Sequence, residues 1–311
     1  MNCSVVIRAY NEENYIGRLL EGIRQQTAED VQVLLVDSGS SDSTVSIAES
    51  FGAEIVHIPP QDFTFGRSLN LGIQAAKSEL VAIASAHVYP VYPDWLASLL
   101  HPFEDGTVAL TYGKQRGPRS VKFSEQQIFY QWYPDASQPR QETAFCNNAN
   151  AAIRKSVWER NPYDETLTGL EDVAWAKWAK EQGYDIAYVA EAEIVHVHRE
   201  TPRGVFNRYR REAMAFKRIY PESHFNVYDF VRLTTMNILS DLRHAARERV
   251  LWKNLVSILW FRFMQFYGTH MGYRESGLLT PQLRETFYYA RGRKTRDGAT
   301  RDIEPIRYNQ K

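Results

Sequence analysis

Chemically able side chains gather in this chain just past short apolar runs. Arg8, Ala9, Tyr10, Asn11 and Glu12 follow residues 4–7, and Asp37, Ser38 and Asp42 follow residues 31–36. Ser85, Ala86 and His87 come after residues 80–84. His196 and His198 close a later run, with both imidazoles on one side of an extended chain. Glu171 and Asp172 open a stretch with helical spacing. A carboxylate at a strand end can accept the N–H of a flat heterocycle, or it can simply close its own turn. An imidazole ligates a divalent cation or hydrogen-bonds an anion directly. A carboxylate pair at a helix start complements the helix dipole or takes a proton in catalysis. Neither G-x-G-x-x-G nor the P-loop pattern occurs, which argues against dinucleotide oxidoreductases and P-loop kinases.

Such residues act together only if the fold brings them to one edge. Residues 4–7, 31–36, 53–58 and 80–84 read as strands, with helices over 13–26, 44–51 and 68–76 between them. That alternation predicts an α/β fold with a mainly parallel sheet and helices on both faces. Ligands of such sheets bind beyond the carboxyl ends of the strands. Further on, 94–100 and 170–182 read as helices, and 108–114, 186–190 and 193–198 as strands. Residues 118–143 are expected to form a long mobile insertion. From 201 the alternation stops, and 204–220, 228–248 and 250–268 read as helices. The expected division is an α/β catalytic unit over 1–200, a basic helical region over 201–290 and a flexible tail over 291–311.

Hydrophobic residues make up 44% of the 311 and charged residues 24%, which supplies a core and excludes bulk disorder. Two cysteines, Cys3 and Cys146, build neither a disulfide scaffold nor a four-thiolate zinc site. The net charge of +0 conceals a division: residues 199–311 hold 22 Lys+Arg against 11 Asp+Glu, net +11, leaving net −11 in residues 1–198. A basic appendage suits an anionic acceptor, a lipid surface or a plain solvated helical face. Trp252, Trp260, Phe261 and Phe263 beside Lys253 and Arg262 suggest a helix lying on an anionic membrane surface, with core packing as the competing reading. No secretory signal and no apolar run of about 20 residues is seen, so a cytoplasmic protein, peripheral on the inner face of the membrane, is expected.

Five segments, taken in order, resemble the family-2 glycosyltransferases. They are 5–13 (VVIRAYNEE), 36–44 (VDSGSSDST), 65–72 (FGRSLNLG), 150–154 (NAAIR) and 169–172 (GLED), and the third is most similar to rhamnosyltransferase-like members. The resemblance spans roughly residues 4–198. It implies a GT-A fold, a nucleotide-diphosphate sugar donor, a divalent metal (Mn²⁺ or Mg²⁺) and inversion at the anomeric carbon. It further implies that Ala9, Tyr10, Asn11, Glu12, Asp37, Ser38, Arg67, Asn70, Ser85, Ala86 and His87 form the donor site. Asp37 would read the base, Tyr10 would line base or ribose, and Asn11 and Glu12 would hold the ribose or fix the loop. Arg67 would neutralise a phosphate, although the family's arginine more often directly precedes the position of Asn70, where this chain has Leu69.

One departure matters. Where the family has Asp-x-Asp, this chain has Ser85-Ala86-His87. His87 then becomes the first metal ligand, or it hydrogen-bonds the diphosphate without metal; either His196 or His198 would assist. The family position makes Asp172 the general base, with Glu171 orienting acceptor or loop. Trp175 either stacks on sugar or packs in the core. The leading expectation is an inverting glycosyltransferase acting on a saccharide or lipid-linked hydroxyl in cell-surface polysaccharide synthesis, with no nucleic-acid partner. The alternatives are a sugar-nucleotide pyrophosphorylase and a degenerate, non-catalytic membrane-associated subunit.

Overall fold

Val5, Val6 and Ile7 are all fully buried in β1 (Cys3–Ala9), which happens only where both faces of a sheet are covered. Val5 and Ile7 pack with Ile16 and Leu19 of α1 (Ile16–Arg24), whereas Val6 faces the opposite layer. The chain continues through β2 (Val31–Asp37), α2 (Thr44–Ser50), β3 (Glu54–His57), α3 (Phe65–Ala75), β4 (Leu80–Ser85), β5 (Val88–Pro90) and α4 (Trp95–Leu100). Next come β6 (Val108–Arg116), α5 (Phe123–Trp132), β7 (Asn150–Arg154), α6 (Lys155–Trp158), α7 (Glu171–Glu181) and β8 (Asp185–His196). The last part holds α8 (Pro202–Ile219), β9 (Glu222–Ser223), α9 (Val227–Arg247), α10 (Leu251–Glu275) and β10 (Leu278–Leu279), which pairs with β9. This computed structural model describes residues 2–118, 120–198, 201–275, 278–279 and 303–308.

The main sheet has the order β3-β2-β1-β4-β7-β6-β8-β5. Six strands share one direction; β7 and β5 run against their neighbours. The expected mainly parallel α/β sheet with helices on both faces is what the chain forms. The reversal of β7 has a positional result. Its first residue, Asn150, pairs with Ala84, so segment 147–149 arrives at the same edge as the ends of β1, β4 and β8.

Three expectations need correction. Residues 118–143 are not a loose insertion: they carry α5, whose Ile128 and Phe129 are buried, the latter in the core with Tyr133. The two strands read at 186–190 and 193–198 are one strand, β8, whose pairing with β6 is irregular near Gly113. Residues 303–308 of the expected flexible tail pack back on the sheet. Ile306 N donates to Val91 O at 2.9 Å, and Tyr308 Oη donates to Pro90 O at 2.5 Å. Residues 291–302 of that tail, and 280–290 of the expected helical region, lie outside the described residues.

The C-terminal helices attach through small residues. A side chain at Gly268 or Gly272 of α10 would collide with the backbone oxygens of Phe206 or Arg210, so α10 lies directly on α8. Arg262 is buried and grips Asp241 of α9 with two bonds, Nε–Oδ2 at 2.7 Å and Nη2–Oδ1 at 3.0 Å. Phe261 is buried and Trp260 half-buried, whereas Trp252 is 85% exposed. Of the residues that the sequence suggested for a membrane contact, Phe261 and Arg262 therefore belong to the inner face of α10, whereas Trp252, Lys253 and Phe263 remain exposed. No helix among the described residues is long and apolar enough to cross a membrane.

Candidate active site

A cleft of about 450 Å³ opens at the carboxyl edge of the sheet. Arg8 from β1, Ser85 at the end of β4 and His87 just past it, His196 at the end of β8 and His198 just past it, and Asn147 to Ala149 before β7 all line it. Glu171 and Asp172 enter from the N-terminus of α7, and Arg208, Arg211 and Glu212 from α8. Four strand ends and two helices thus meet where open α/β sheets bind ligands.

The two carboxylates are held differently. Glu171 Oε1 takes the Arg8 guanidinium at 3.2 Å and the Asn148 amide at 3.5 Å. Asp172 accepts backbone N–H bonds from Asn148 at 2.9 Å and Val173 at 2.8 Å. Burial, and then the charge of Glu171, raises the Asp172 carboxyl from 3.8 to about 7, against those two bonds and Arg8. Leu170, just before the pair, sits in the left-handed region at φ 56°, which costs an L-residue about 1–2 kcal/mol. Phe65 carries two guanidiniums on its ring, Arg8 at 5.0 Å and Arg211 at 4.6 Å from the centroid.

The three histidines come together. One ring nitrogen from each of His87, His196 and His198 lies within 4.8 Å of the others. Each Nδ1 is already anchored: His87 to Glu12 Oε1 at 2.8 Å, His196 to Gln115 Oε1 at 2.8 Å, His198 to Glu125 Oε1 at 2.6 Å. That leaves Nε2 of each ring as the ligating atom, and His196 Nε2 is buried with no hydrogen-bond partner among the described residues. Burial first, then neighbouring positive charge, holds His196 and His198 well below 6.5, so both are neutral, the form that ligates. Acceptors behind each imidazole fix ring orientation as they do at metal sites, so the donor set fits a divalent cation. Three nitrogens suit a transition ion better than Mg²⁺, which prefers oxygen.

The profile "Glycosyl transferase family 2" matches residues 4–161. The chain belongs to glycosyl transferase family 2. The O-antigen chain rhamnosyltransferase RfbN of Salmonella typhimurium is 29% identical over 222 residues, 67% of this chain and 70% of that protein. WbaN of Salmonella anatum, also an O-antigen chain rhamnosyltransferase, is 30% identical over 198 residues, 60% and 62% of the two chains. Among solved structures, a mannosyltransferase from Pyrobaculum calidifontis in complex with GDP-Man and Mn²⁺ superposes with a TM-score of 0.58 at 18% identity, covering 86% of this chain and 84% of that one. The S. aureus TarS 1-349 structure with UDP-GlcNAc gives 0.53 at 16% identity, covering 88% and 92%. The fold is GT-A, and the protein is a glycosyltransferase; the pyrophosphorylase and non-catalytic readings fall away.

Within this glycosyltransferase the other expected donor residues have separate surroundings. Asn11, at φ 55°, accepts from Ser41 N at 2.8 Å, and its own N–H donates to Ser40 Oγ at 2.9 Å, so it laces two loops together. Asp37 turns both oxygens onto the N–H groups of Gly39 and Ser40, and Ser38 Oγ donates to Ala9 O. Tyr10 is 58% exposed and Ala86 is buried, and neither lines the cleft. Asp42 accepts from Thr44 N and from Glu13 N, so it closes its own turn and ties it to the segment after β1.

Arg67 and Asn70 do not line the cleft. Arg67 pairs with Glu165 at the surface. Asn70 donates to Tyr163 O and Glu165 and accepts from Trp158 Nε1 and Tyr163 N, which uses its amide fully. Side chains at Gly66 and Gly72 would strike Asp164 and Val6, so segment 65–72 packs α3 closely, with Phe65 alone reaching the cleft. Trp175 is core, its Nε1 donating to Asn161 O. Asn150, buried, binds Trp95 Nε1 and the carbonyls of Lys114 and Ala192, a structural role. Sequence reasoning missed Glu125, Gln115, Arg208 and Arg211. Only the positive charge of the C-terminal part pointed toward the two arginines.

Proposed function

We propose that this glycosyltransferase moves a deoxyhexose, of the rhamnose kind, from a nucleoside-diphosphate sugar to a saccharide or lipid-linked hydroxyl, with inversion, in cell-surface polysaccharide synthesis. The carrying observation is one cleft that joins a carboxyl raised to about 7 with three anchored imidazoles. Asp172 takes the proton of the attacking hydroxyl, and its acidity near neutral pH suits a general base. Glu171 holds Arg8 and Asn148 in place. The departing diphosphate meets the histidines and Arg208. A divalent ion held by His87, His196 and His198 would supply further positive charge for it. The base lies beyond β2, near Asp37, Ser38 and exposed Tyr10. The donor complexes of the mannosyltransferase and TarS, and the names of RfbN and WbaN, support the donor class and the sugar.

The test has two arms. A panel of nucleoside-diphosphate sugars that includes deoxysugars is scored for free nucleoside diphosphate; no release from any donor sinks the assignment. Calorimetry with Mn²⁺, Zn²⁺ and Mg²⁺ then probes the histidines. Glu125→Gln should weaken binding of the preferred ion about 10–100-fold, and His196→Ala should weaken it more. Activity untouched by EDTA would make direct hydrogen bonding to the diphosphate the better reading.

A further inference from the structure

The hairpin of α9 and α10 leaves an apolar face uncovered. On α10 the outward positions Trp252, Val256, Leu259, Phe263 and Tyr267 are all exposed, at spacings of four and three that define one stripe. At about 1.5 Å per residue the stripe is roughly 22 Å long. On α9, Tyr228, Val231, Met236 and Leu239 are exposed as well. Phe230 touches both Phe263 and Tyr267, with ring centroids at 5.8 Å and 6.2 Å, and so joins the two helices at this face.

Charge distinguishes this face from an ordinary helix surface. Asp229 and Asp241, the acids within α9, are buried, and α10 has none before Glu275. The exposed cations Arg243, Arg247, Arg249 and Lys253 crowd the turn between the helices, with Glu248 as the acid among them. Trp252, 85% exposed, stands inside that basic tip. An apolar stripe free of acids, ending in a Trp among cations, complements a surface that is apolar below and anionic above.

We propose that this face docks in the plane of an anionic phospholipid surface, with α10 lying flat and the tip 243–253 gripping headgroups. The inference is independent of the sugar and of the metal. The experiment is flotation of the full chain with vesicles of phosphatidylglycerol and phosphatidylethanolamine, against vesicles of phosphatidylcholine alone. Binding to the anionic vesicles is expected, with little to the neutral ones. It should weaken when salt rises from about 0.1 M to about 1 M, where the screening length shrinks from about 10 Å to about 3 Å. Arg247→Glu and Lys253→Glu should each weaken it at least about fivefold, and Trp252→Glu at least about tenfold. All three positions are exposed, so thermal unfolding should stay as in the wild type, and donor release should persist in detergent-free buffer. Equal binding to both vesicle types, or full binding by Trp252→Glu, would overturn the proposal. A wild-type dimer in sedimentation that Trp252→Glu dissolves, without vesicle binding, would assign the face to a second copy instead.

Discussion

Replacing Asp172 by Asn tests the proton acceptor, and the structure says what else the change does. Both Asp172 oxygens accept backbone N–H bonds, from Asn148 and Val173. An Asn side chain offers only one acceptor, so its NH₂ must face one of those donors. Leaving that buried N–H unmet costs about 1–3 kcal/mol. Loss of the base itself should cost about 10²–10⁴ in turnover, or about 3–5 kcal/mol in barrier, with donor binding retained. The pH dependence separates the two effects. Because the carboxyl lies near 7 instead of 3.8, the folded chain holds this proton more tightly than the unfolded one. Wild-type stability should therefore fall as pH rises from about 4 to about 7 and level off above, by at most about 4 kcal/mol. The rate has the opposite sense: kcat/KM should climb about tenfold per pH unit below 7 and flatten above it, since only the carboxylate takes a proton. The Asn variant should lack both slopes. The assay is nucleoside-diphosphate release in the presence of acceptor from pH 5 to 9, with donor binding followed by calorimetry and unfolding by urea. Turnover of the Asn variant within tenfold of wild type, or a wild-type profile flat through pH 7, would place the base elsewhere.

Two further substitutions probe the helical region. Arg262→Ala strands Asp241 in the interior and should cost about 3–5 kcal/mol in urea unfolding, whereas Lys253→Ala, exposed on the same helix, should stay within about 0.5 kcal/mol; equal effects would refute the buried pair. Gly272→Ala presses a methyl group onto Arg210 O and should push α10 off α8 at about 1–3 kcal/mol. Since α8 carries Arg208 and Arg211 into the cleft, the same change should raise the donor KM, and wild-type stability with wild-type KM would break that link.

The sequence carried the sheet because buried strands announce themselves. Residues 4–7, 31–36 and 80–84 are short β-branched runs, and polar residues placed just after them must lie at one edge. That logic found Arg8, Glu12, Ser85, His87, His196 and His198, all of which line the cleft. It failed where position depends on contacts between distant segments. Glu125 anchors His198 at 2.6 Å, yet it lies in a stretch whose buried residues touch elements on two sides, so no single periodic face marks it. Gln115 sits inside β6, where alternation separates faces but names no partner. Segment 65–72 is set by close packing: its glycines and Asn70 are fixed by neighbouring segments of the chain, whereas motif resemblance alone had given Arg67 and Asn70 a place in the donor site. On α10 apolar residues surround the whole helix, so periodicity could not tell Phe261, buried, from Trp252, exposed.

The opposed charges of the two parts of the chain acquire a reason from the same contacts. A cleft holding Glu12, Glu171 and Asp172 would repel a diphosphate if it were built from the α/β unit alone. The basic part answers locally through α8. Arg208 closes on Glu125 at 2.9 Å beside the histidines, and Arg211 lies over the Phe65 ring, as Arg8 does. The helical region thus supplies a second wall of the cleft through α8. Its α8–α10 contact is fastened by Gly268 and Gly272 where any side chain would intrude. Charge asymmetry in the sequence marks the place where one part of the chain completes the other's cleft. The cations left over, Arg243, Arg247, Arg249 and Lys253, gather exposed at the α9–α10 tip, where the proposed lipid contact lies.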